Sequence, residues 1–399
     1  MSTKWPRVKF NEFLKPNSRP YTLGPDEDAN LVGMRLYGEG PFHRELKPSM
    51  RIAKKTHFVI KTGDVIYNKL FAWKGTFGIV PPELDGMFVS DKFPTYELNR
   101  AKVSPAFLGW YFRCRLLWEE AQGMSTGSAA LSKLTLNPPK FLLLTMPLPP
   151  LSEQYKAVVR IKELYNGIIE AHRLRIFAIN ESNTCLESCL QELMGKFERL
   201  DHFEKVITFK PRSGPSFLTT STGIGTPILM PSSVTGFGVN PTKIEYPMHP
   251  VKIGEKDTLL AGDILMARGN KRDQVGNAGV VPPQCEGWTY ANLLMRLQTD
   301  KTKVIPEFCV YWLRSPQIRK IIYDQMSGTN PNIQKINQQK ILRLPFPVGI
   351  HLSQQRNIVD KLDALQSYTE ALKRVQAEIT AELNALLPSI LDKAFKGEL

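Results

Sequence analysis

The chain repeats itself at a distance of about 200 residues, and this limits its architecture more than any other feature. Gly63-Asp64-Val65-Ile66 matches Gly262-Asp263-Ile264-Leu265, and Gly78-Ile79-Val80-Pro81-Pro82 matches Gly279-Val280-Val281-Pro282-Pro283. Residues 105–113 (PAFLGWYFR) match 306–314 (PEFCVYWLR), and Met124-Ser125-Thr126-Gly127 matches Met326-Ser327-Gly328-Thr329. Leu151-Ser152-Glu153-Gln154 matches Leu352-Ser353-Gln354-Gln355. Five collinear blocks at offsets of 199 to 202 define a duplicated unit. In each copy a mixed, Gly/Pro-punctuated segment is followed by a helical stretch, a joint and a long helix.

Within the mixed segments, ILMARG (264–269) and FGIVPP (77–82) read as strands. FLGWYFRCRLLWEEAQ (107–122) and EFCVYWLRSPQIRKIIYDQM (307–326) each read as one helix. The second long helix carries a strict 4-3 spacing: Ile358, Leu362, Leu365, Thr369, Leu372, Gln376, Ile379, Leu383, Leu386 and Ile390. Eight of these ten are apolar, which is a coiled-coil seam. Ser353 suits the N-cap, and Pro388 is expected to end or bend the helix. Residues 352–387 would then span roughly 54 Å. The first long helix is rougher. Ile161, Tyr165, Ile168, Ile179, Leu186, Leu190, Leu193 and Phe197 fit heptads with one slip, and His172, Arg175 and Asn183 interrupt them. Packing the two seams on each other in antiparallel fashion would hide both and put the mixed segments at opposite ends. The expected fold is α+β: a first domain over 1–150, a spacer helix over 151–200, a second domain over 201–350, and a second spacer helix with a tail over 351–399.

The charge follows the same division. The 399 residues carry a net +14. Residues 1–150 hold 21 Lys and Arg against 13 Asp and Glu, and residues 201–350 hold 18 against 11. The segments 151–200 (7 against 7) and 351–399 (6 against 7) are balanced. Two basic blocks on neutral connectors predict two polyanion-binding surfaces. The start, MSTKWPRVKF, has no apolar signal-peptide core, and FLLLTMPLPPL is short and broken by three prolines, so no membrane span is expected. The five cysteines form no CxxC pair; they are expected to be reduced thiols in a cytoplasmic protein, with Cys185 and Cys189 packing within a helix.

One stretch invites a catalytic reading. Asn137-Pro138-Pro139 resembles the motif of amino-methylating DNA methyltransferases, in which an aromatic residue follows and stacks on a flipped base. Here Lys140 follows, and GFGVN at 236–240 is too isolated for a methyl-donor loop. The matching place in the second half reads Asn330-Pro331-Asn332. There is no GxxxxGK[ST] or HExxH motif, the six histidines are scattered, and no Ser/His/Asp signature stands out. The chain reads as a binding protein with no catalytic residue and no metal site.

The candidate DNA-facing groups lie at turns in the basic blocks. In the first block they are Tyr67-Asn68-Lys69, Trp73-Lys74 and the hydroxyls of Ser125, Thr126 and Ser128. In the second they are Arg268, Asn270, Lys271 and Arg272, with Ser327, Thr329 and Asn330. Arg and Asn suit base edges, and Lys suits phosphate.

A duplicated unit of basic domain and long helix, with the segments MSTGSAALSKL and MSGTNPNIQKI, the joint PLPPLSEQ and the ending LLPSILDKAFKGEL, resembles the specificity subunits of Type I restriction–modification enzymes (HsdS) over essentially the whole chain. The resemblance implies two target-recognition domains, each reading half of a split, asymmetric sequence of double-stranded DNA, with an antiparallel coiled coil fixing the gap. It implies two separate methyltransferase subunits, which bind S-adenosylmethionine and methylate adenine, and motor-nuclease subunits; this chain would bind no cofactor itself. Leu151, Ser152, Glu153 and Gln154, with Leu352, Ser353, Gln354 and Gln355, become candidate partner-docking residues. The second joint (FPVGIHLSQQ) lacks the Pro-Pro pair and the Glu of the first, so the two docking surfaces need not be equivalent.

Overall fold

The computed structural model describes residues 4–52, 56–127, 134–235, 238–330 and 333–399, without the side chains of Thr235, Thr329, Asn330 and Ile333. In chain order its helices are α1 (Pro105–Tyr111), α2 (Arg115–Met124), α3 (Pro138–Phe141), α4 (Leu151–Met194), α5 (Pro306–Arg314), α6 (Pro316–Gln325), α7 (Gln338–Leu342) and α8 (Leu352–Lys396). None is long and apolar enough to cross a membrane. The chain divides into two compact units: residues 1–175 with 376–399, and residues 176–375. Each unit is a mixed α/β domain carrying one stretch of α4 and one of α8.

In the first unit a four-stranded sheet runs in the order Leu14–Pro16, Thr95–Leu98, Val65–Tyr67, Phe77–Ile79. A five-stranded sheet (Pro20–Thr22, Thr56–Val59, Phe88–Val89, Asp28–Met34, Pro41–Pro48) adjoins it in sequence, and Arg7–Lys9 pairs with Thr145–Pro147. The second unit repeats the plan. Ile207–Ser213, Leu294–Thr299, Ile264–Ala267 and Ala278–Val280 form four successive strands of its largest sheet, and Leu200–His202 pairs with Pro345–Pro347. The Gly-Asp pair of each copy explains its persistence. Gly63 and Gly262 sit at φ 87° and 85°, a left-handed turn that favours glycine. The following aspartates are buried, and their carboxylates accept from the backbone N–H of Lys61 and Leu260, both at 2.8 Å. Asp64 is forked by Arg19 (2.5 and 3.0 Å), whereas Asp263 accepts from Arg296 (2.6 Å) and Gln298 (2.7 Å).

The stretches expected as single helices are each two. Ser315, ahead of Pro316, is pushed to extended geometry (ψ 146°); in the first copy Cys114 is extended as well (ψ 128°), although Arg115 and not a proline follows it. The long helices pair antiparallel within each unit. In the first, Val158 and Ile161 of α4 share a core with Leu391, Ala394 and Phe395 of α8, and Arg175 reaches Gln376 and Thr380. In the second, Leu190 and Met194 share a core with Ile358 and Leu362, and Ser182 meets Thr369 at 2.9 Å.

Three expectations about these helices are corrected, and one of the two alternatives for Pro388 is excluded. α8 starts at Leu352, with the carbonyl of His351 accepting the first helical N–H bonds, so Ser353 lies inside the first turn. Pro388 does not end the helix, because buried Leu391, Ala394 and Phe395 hold the turns beyond it. Leu386 is exposed while Leu387 and Leu391 turn inward, as a 3.6-residue helix drifts out of a strict seven-residue repeat. Cys185 is exposed rather than packed, and Cys189 alone leans on the second core.

Candidate nucleic-acid interface

The two halves build the same loop junction from different residues. At the end of the strand Val65–Tyr67, the Asn68 N–H donates to the Thr76 carbonyl (3.0 Å), the Lys69 N–H to the Lys92 carbonyl (2.9 Å), and the Lys69 carbonyl accepts from Leu136 (2.9 Å). In the second unit the corresponding bonds run from Ala267 to Asn277 (2.8 Å), from Arg268 to Leu293 (2.9 Å), and from Ile336 to Arg268 (2.8 Å). Lys69 and Arg268 therefore hold equivalent places.

This bonding joins candidate groups that lie far apart in sequence. In the first unit Thr126 and Thr135 exchange backbone hydrogen bonds (3.0 and 2.8 Å), next to the Leu136 that binds Lys69. In the second, Ile333–Lys335 is the middle strand of a three-stranded sheet, with Gly269–Asn270 paired on one side of it and Ser327–Asn330 on the other. Ser128 lies outside the described residues, as do the side chains of Thr329 and Asn330.

The side chains sort by exposure. Thr126, Lys271, Arg272 and Ser327 are exposed, and Asn68, Lys69, Trp73, Lys74, Arg268 and Asn270 are half-buried. Asn68 Oδ1 accepts from the Leu70 N–H (3.0 Å) and shapes the turn, and Lys74 Nζ sits 4.9 Å from the centre of the Trp73 ring. The Ser125 hydroxyl donates to the Ala121 carbonyl (2.7 Å), so it closes the end of α2. Tyr67 is a correction. It is fully buried, stacked on Phe141 with centroids 4.1 Å apart, and its hydroxyl donates to the Leu136 carbonyl (3.0 Å). Burial pushes its phenol pKa far up, and no part of it is offered to a ligand.

The Asn-Pro-Pro stretch is a helix start. Asn137 holds the N-cap position of α3 through its carbonyl, with no side-chain cap bond, two prolines fill the first turn, and Phe141 behind them enters the core. Its structural counterpart is Asn337, whose side chain caps α7 by accepting from the Lys340 N–H (2.9 Å), and not the expected Asn330.

The joints also hold a role that the sequence hid. Gln154 and Gln355 are buried. Gln154 Oε1 accepts from the Ser104 N–H ahead of α1 (2.8 Å), and its Nε2 donates to the carbonyls of Lys102 and Pro149 (both 2.9 Å). Gln355 does the same with the Ile305 N–H (3.0 Å) and the carbonyls of Lys303 (2.7 Å) and Ile350 (2.9 Å). Each glutamine pins a long helix to its domain, which corrects their reading as docking residues. Ser152, Leu352, Ser353 and Gln354 are exposed, Leu151 and Glu153 are half-buried, and Glu153 pairs with Lys156 (2.9 Å).

Two mixed domains with the same internal bonding, each fixed to long helices through an identical glutamine latch, define a tandem-domain architecture. No family model matches the chain. It is 27% identical over 293 residues to the Type I restriction enzyme EcoKI specificity subunit of Escherichia coli (strain K12), covering 69% of this chain and 62% of that one. It is 24% identical over 188 residues to the putative type I restriction enzyme MjaX specificity subunit of Methanocaldococcus jannaschii, covering 47% and 41%. The chain thus spans less than two thirds of the length of these curated relatives. Among solved structures, a chain from work on complex assembly and conformational transition of the type I R-M system aligns with TM-score 0.74 at 24% identity, covering 99% of this chain and 98% of that one. The HsdS subunit from Thermoanaerobacter tengcongensis aligns with TM-score 0.60 at 24% identity, covering 99% and 97%. The chain is thus similar in sequence to Type I restriction enzyme specificity subunits and shares the fold of these solved chains.

Proposed function

We propose that the chain is the non-catalytic DNA-recognition subunit of a Type I restriction–modification complex. Each domain reads one half of a bipartite, asymmetric site. The paired helices set the gap and carry two methyltransferase subunits, which bind S-adenosylmethionine and methylate adenine, together with motor-nuclease subunits. The observation that carries this reading is the shared junction: Lys69 and Arg268 stand at the same place in two basic domains, each bonded to a segment (Leu136, Ile336) that continues from a strand or bridge pairing with a hydroxyl-bearing residue, Thr126 or Ser327. A base or phosphate contact made there in one domain has a counterpart in the other, and different side chains at one frame are what two different half-sites require.

The test is a domain exchange. Residues 201–350 are replaced by those of a relative, and the methylated sequence of the assembled complex is determined. One half-site changes and the other is retained. A change in both half-sites, or in neither, refutes modular reading.

A further inference from the structure

The second unit contains a cleft whose charge the proposed function does not by itself explain. Lys210, Arg212, Lys256 and Arg268 line it together with Asn337 and Gln338, and no carboxylate contributes to its lining among the described residues. A cleft lined by four cations, of which Arg212 is ion-paired, concentrates an anion.

The arginines of this unit are not equivalent. Arg212 is forked by Asp257 (2.7 and 3.3 Å), whose carboxylate also raises its pKa. Arg296 is spent on Asp263, and Arg319 donates to the carbonyls of Val275 (2.5 Å) and Asp273 (2.9 Å). Arg268 differs. It is held by a neutral group, the Ser213 hydroxyl, at 2.6 Å from one terminal nitrogen, and its buried Nε has no partner. Its backbone is fixed on both sides, by the Leu293 carbonyl and the Ile336 N–H. Exposed Lys271 and Arg272, by contrast, sit on the turn beyond. A guanidinium that is positioned, half-desolvated and not neutralised meets the requirement for reading a base edge, where the donor must be fixed before the ligand arrives.

Resting on the proposed DNA-recognition role, we propose that Arg268 reads a guanine through O6 and N7 in the half-site of the second domain, while Lys210 and Lys256 hold the flanking phosphates in the same cleft. Ser213 is the positioning residue that orients Arg268. Lys69, at the equivalent place in the first domain, is a compact, flexible ammonium without the planar fork, so it fixes the direction of a base contact less tightly.

The test uses the full chain assembled with its methyltransferase and a randomised duplex pool, with bound sequences read by sequencing. In Arg268→Ala, discrimination for one G·C pair of the second half-site falls about ten- to hundredfold, while the remaining positions and the first half-site are retained. Ser213→Ala lowers the same discrimination by a smaller factor, and serves where the arginine variant folds poorly. Lys210→Ala weakens binding to all sequences alike. A uniform loss, or no loss, of discrimination from Arg268→Ala overturns the guanine assignment and leaves the recognition role standing. Absence of any selected sequence with the unaltered chain overturns both.

Discussion

Replacing Gln355 by Ala tests how each domain is fixed to its helix. The Gln355 side chain is 2% exposed and meets three backbone groups: the Ile305 N–H and the carbonyls of Lys303 and Ile350. Helix α5 has no side-chain cap of its own at Ile305, so the glutamine supplies from α8 what an N3 residue supplies in a capping box. Alanine strands the N–H, at about 1–3 kcal/mol, and costs each carbonyl one acceptor bond, at about 0.5–1 kcal/mol. The expected loss is about 3 kcal/mol. For a unit of residues 176–375 this lowers the melting temperature by about 6–12 °C. Gln355→Glu destabilises at least as much, because a carboxylate would face two carbonyls. Exposed Gln354→Ala is the control and stays within about 0.5 kcal/mol. Gln154→Ala, with 0% exposure and the same three bonds, has the same effect on the first unit. Calorimetry of the four variants decides the matter. Melting of both latch variants within 1 °C of the unaltered chain refutes the latch.

Asp263→Asn leaves Arg296, 4% exposed, without a counter-charge and is expected to cost about 3–5 kcal/mol in urea unfolding. Asp64→Asn costs less, because Arg19 is 30% exposed and can turn to water; equal losses would contradict this. Specific DNA binding by the assembled complex weakens steeply with salt, with a log–log slope near −0.9 per phosphate contact, and Lys210→Ala reduces that slope by about 1; a flat salt response counts against phosphate contact. Deleting residues 379–385 together with one heptad of α4 removes about 10 Å of helix, the rise of about three base pairs, so the preferred gap shifts while both half-sites persist; an unchanged gap removes the ruler role.

What the sequence made legible was local or repeated. The Gly-Asp turns, the strands after them and the helical seams each follow from residues close together in the chain. Ser315-Pro316 carried a readable break that the apolar run around it masked. Tyr67 looked like a loop residue because Asn68-Lys69 follows it, but its neighbour in space is Phe141, 74 positions on. The equivalence of Lys69 and Arg268 depends on hydrogen bonds to Leu136 and Ile336, which composition does not encode. The latch depends on pairs 50 residues apart, Ser104 with Gln154 and Ile305 with Gln355. The one trace it left was the shared L-S-x-Q of both joints, whose invariant final glutamine looked like part of an outer surface.

That reassignment narrows what the joints can offer a partner. With Gln154 and Gln355 turned inward, the surface left to the first joint is Ser152 and the half-buried Leu151 and Glu153; to the second it is Leu352, Ser353 and Gln354. The difference is one carboxylate, since Glu153 stands where the second copy has Gln354. Glu153 meets an exposed lysine three residues on, Lys156, and a pair of that kind contributes little to stability. Glu153→Gln should therefore leave the melting temperature unchanged and make the first joint resemble the second. If the joints dock the methyltransferase subunits we propose, the variant weakens one of two binding events in a titration followed by calorimetry, and Gln354→Glu strengthens the other. Ser152→Ala and Glu153→Gln that both titrate like the unaltered chain would exclude the joints as docking surfaces, and would leave L-S-x-Q as a motif kept for its inward-facing glutamine alone.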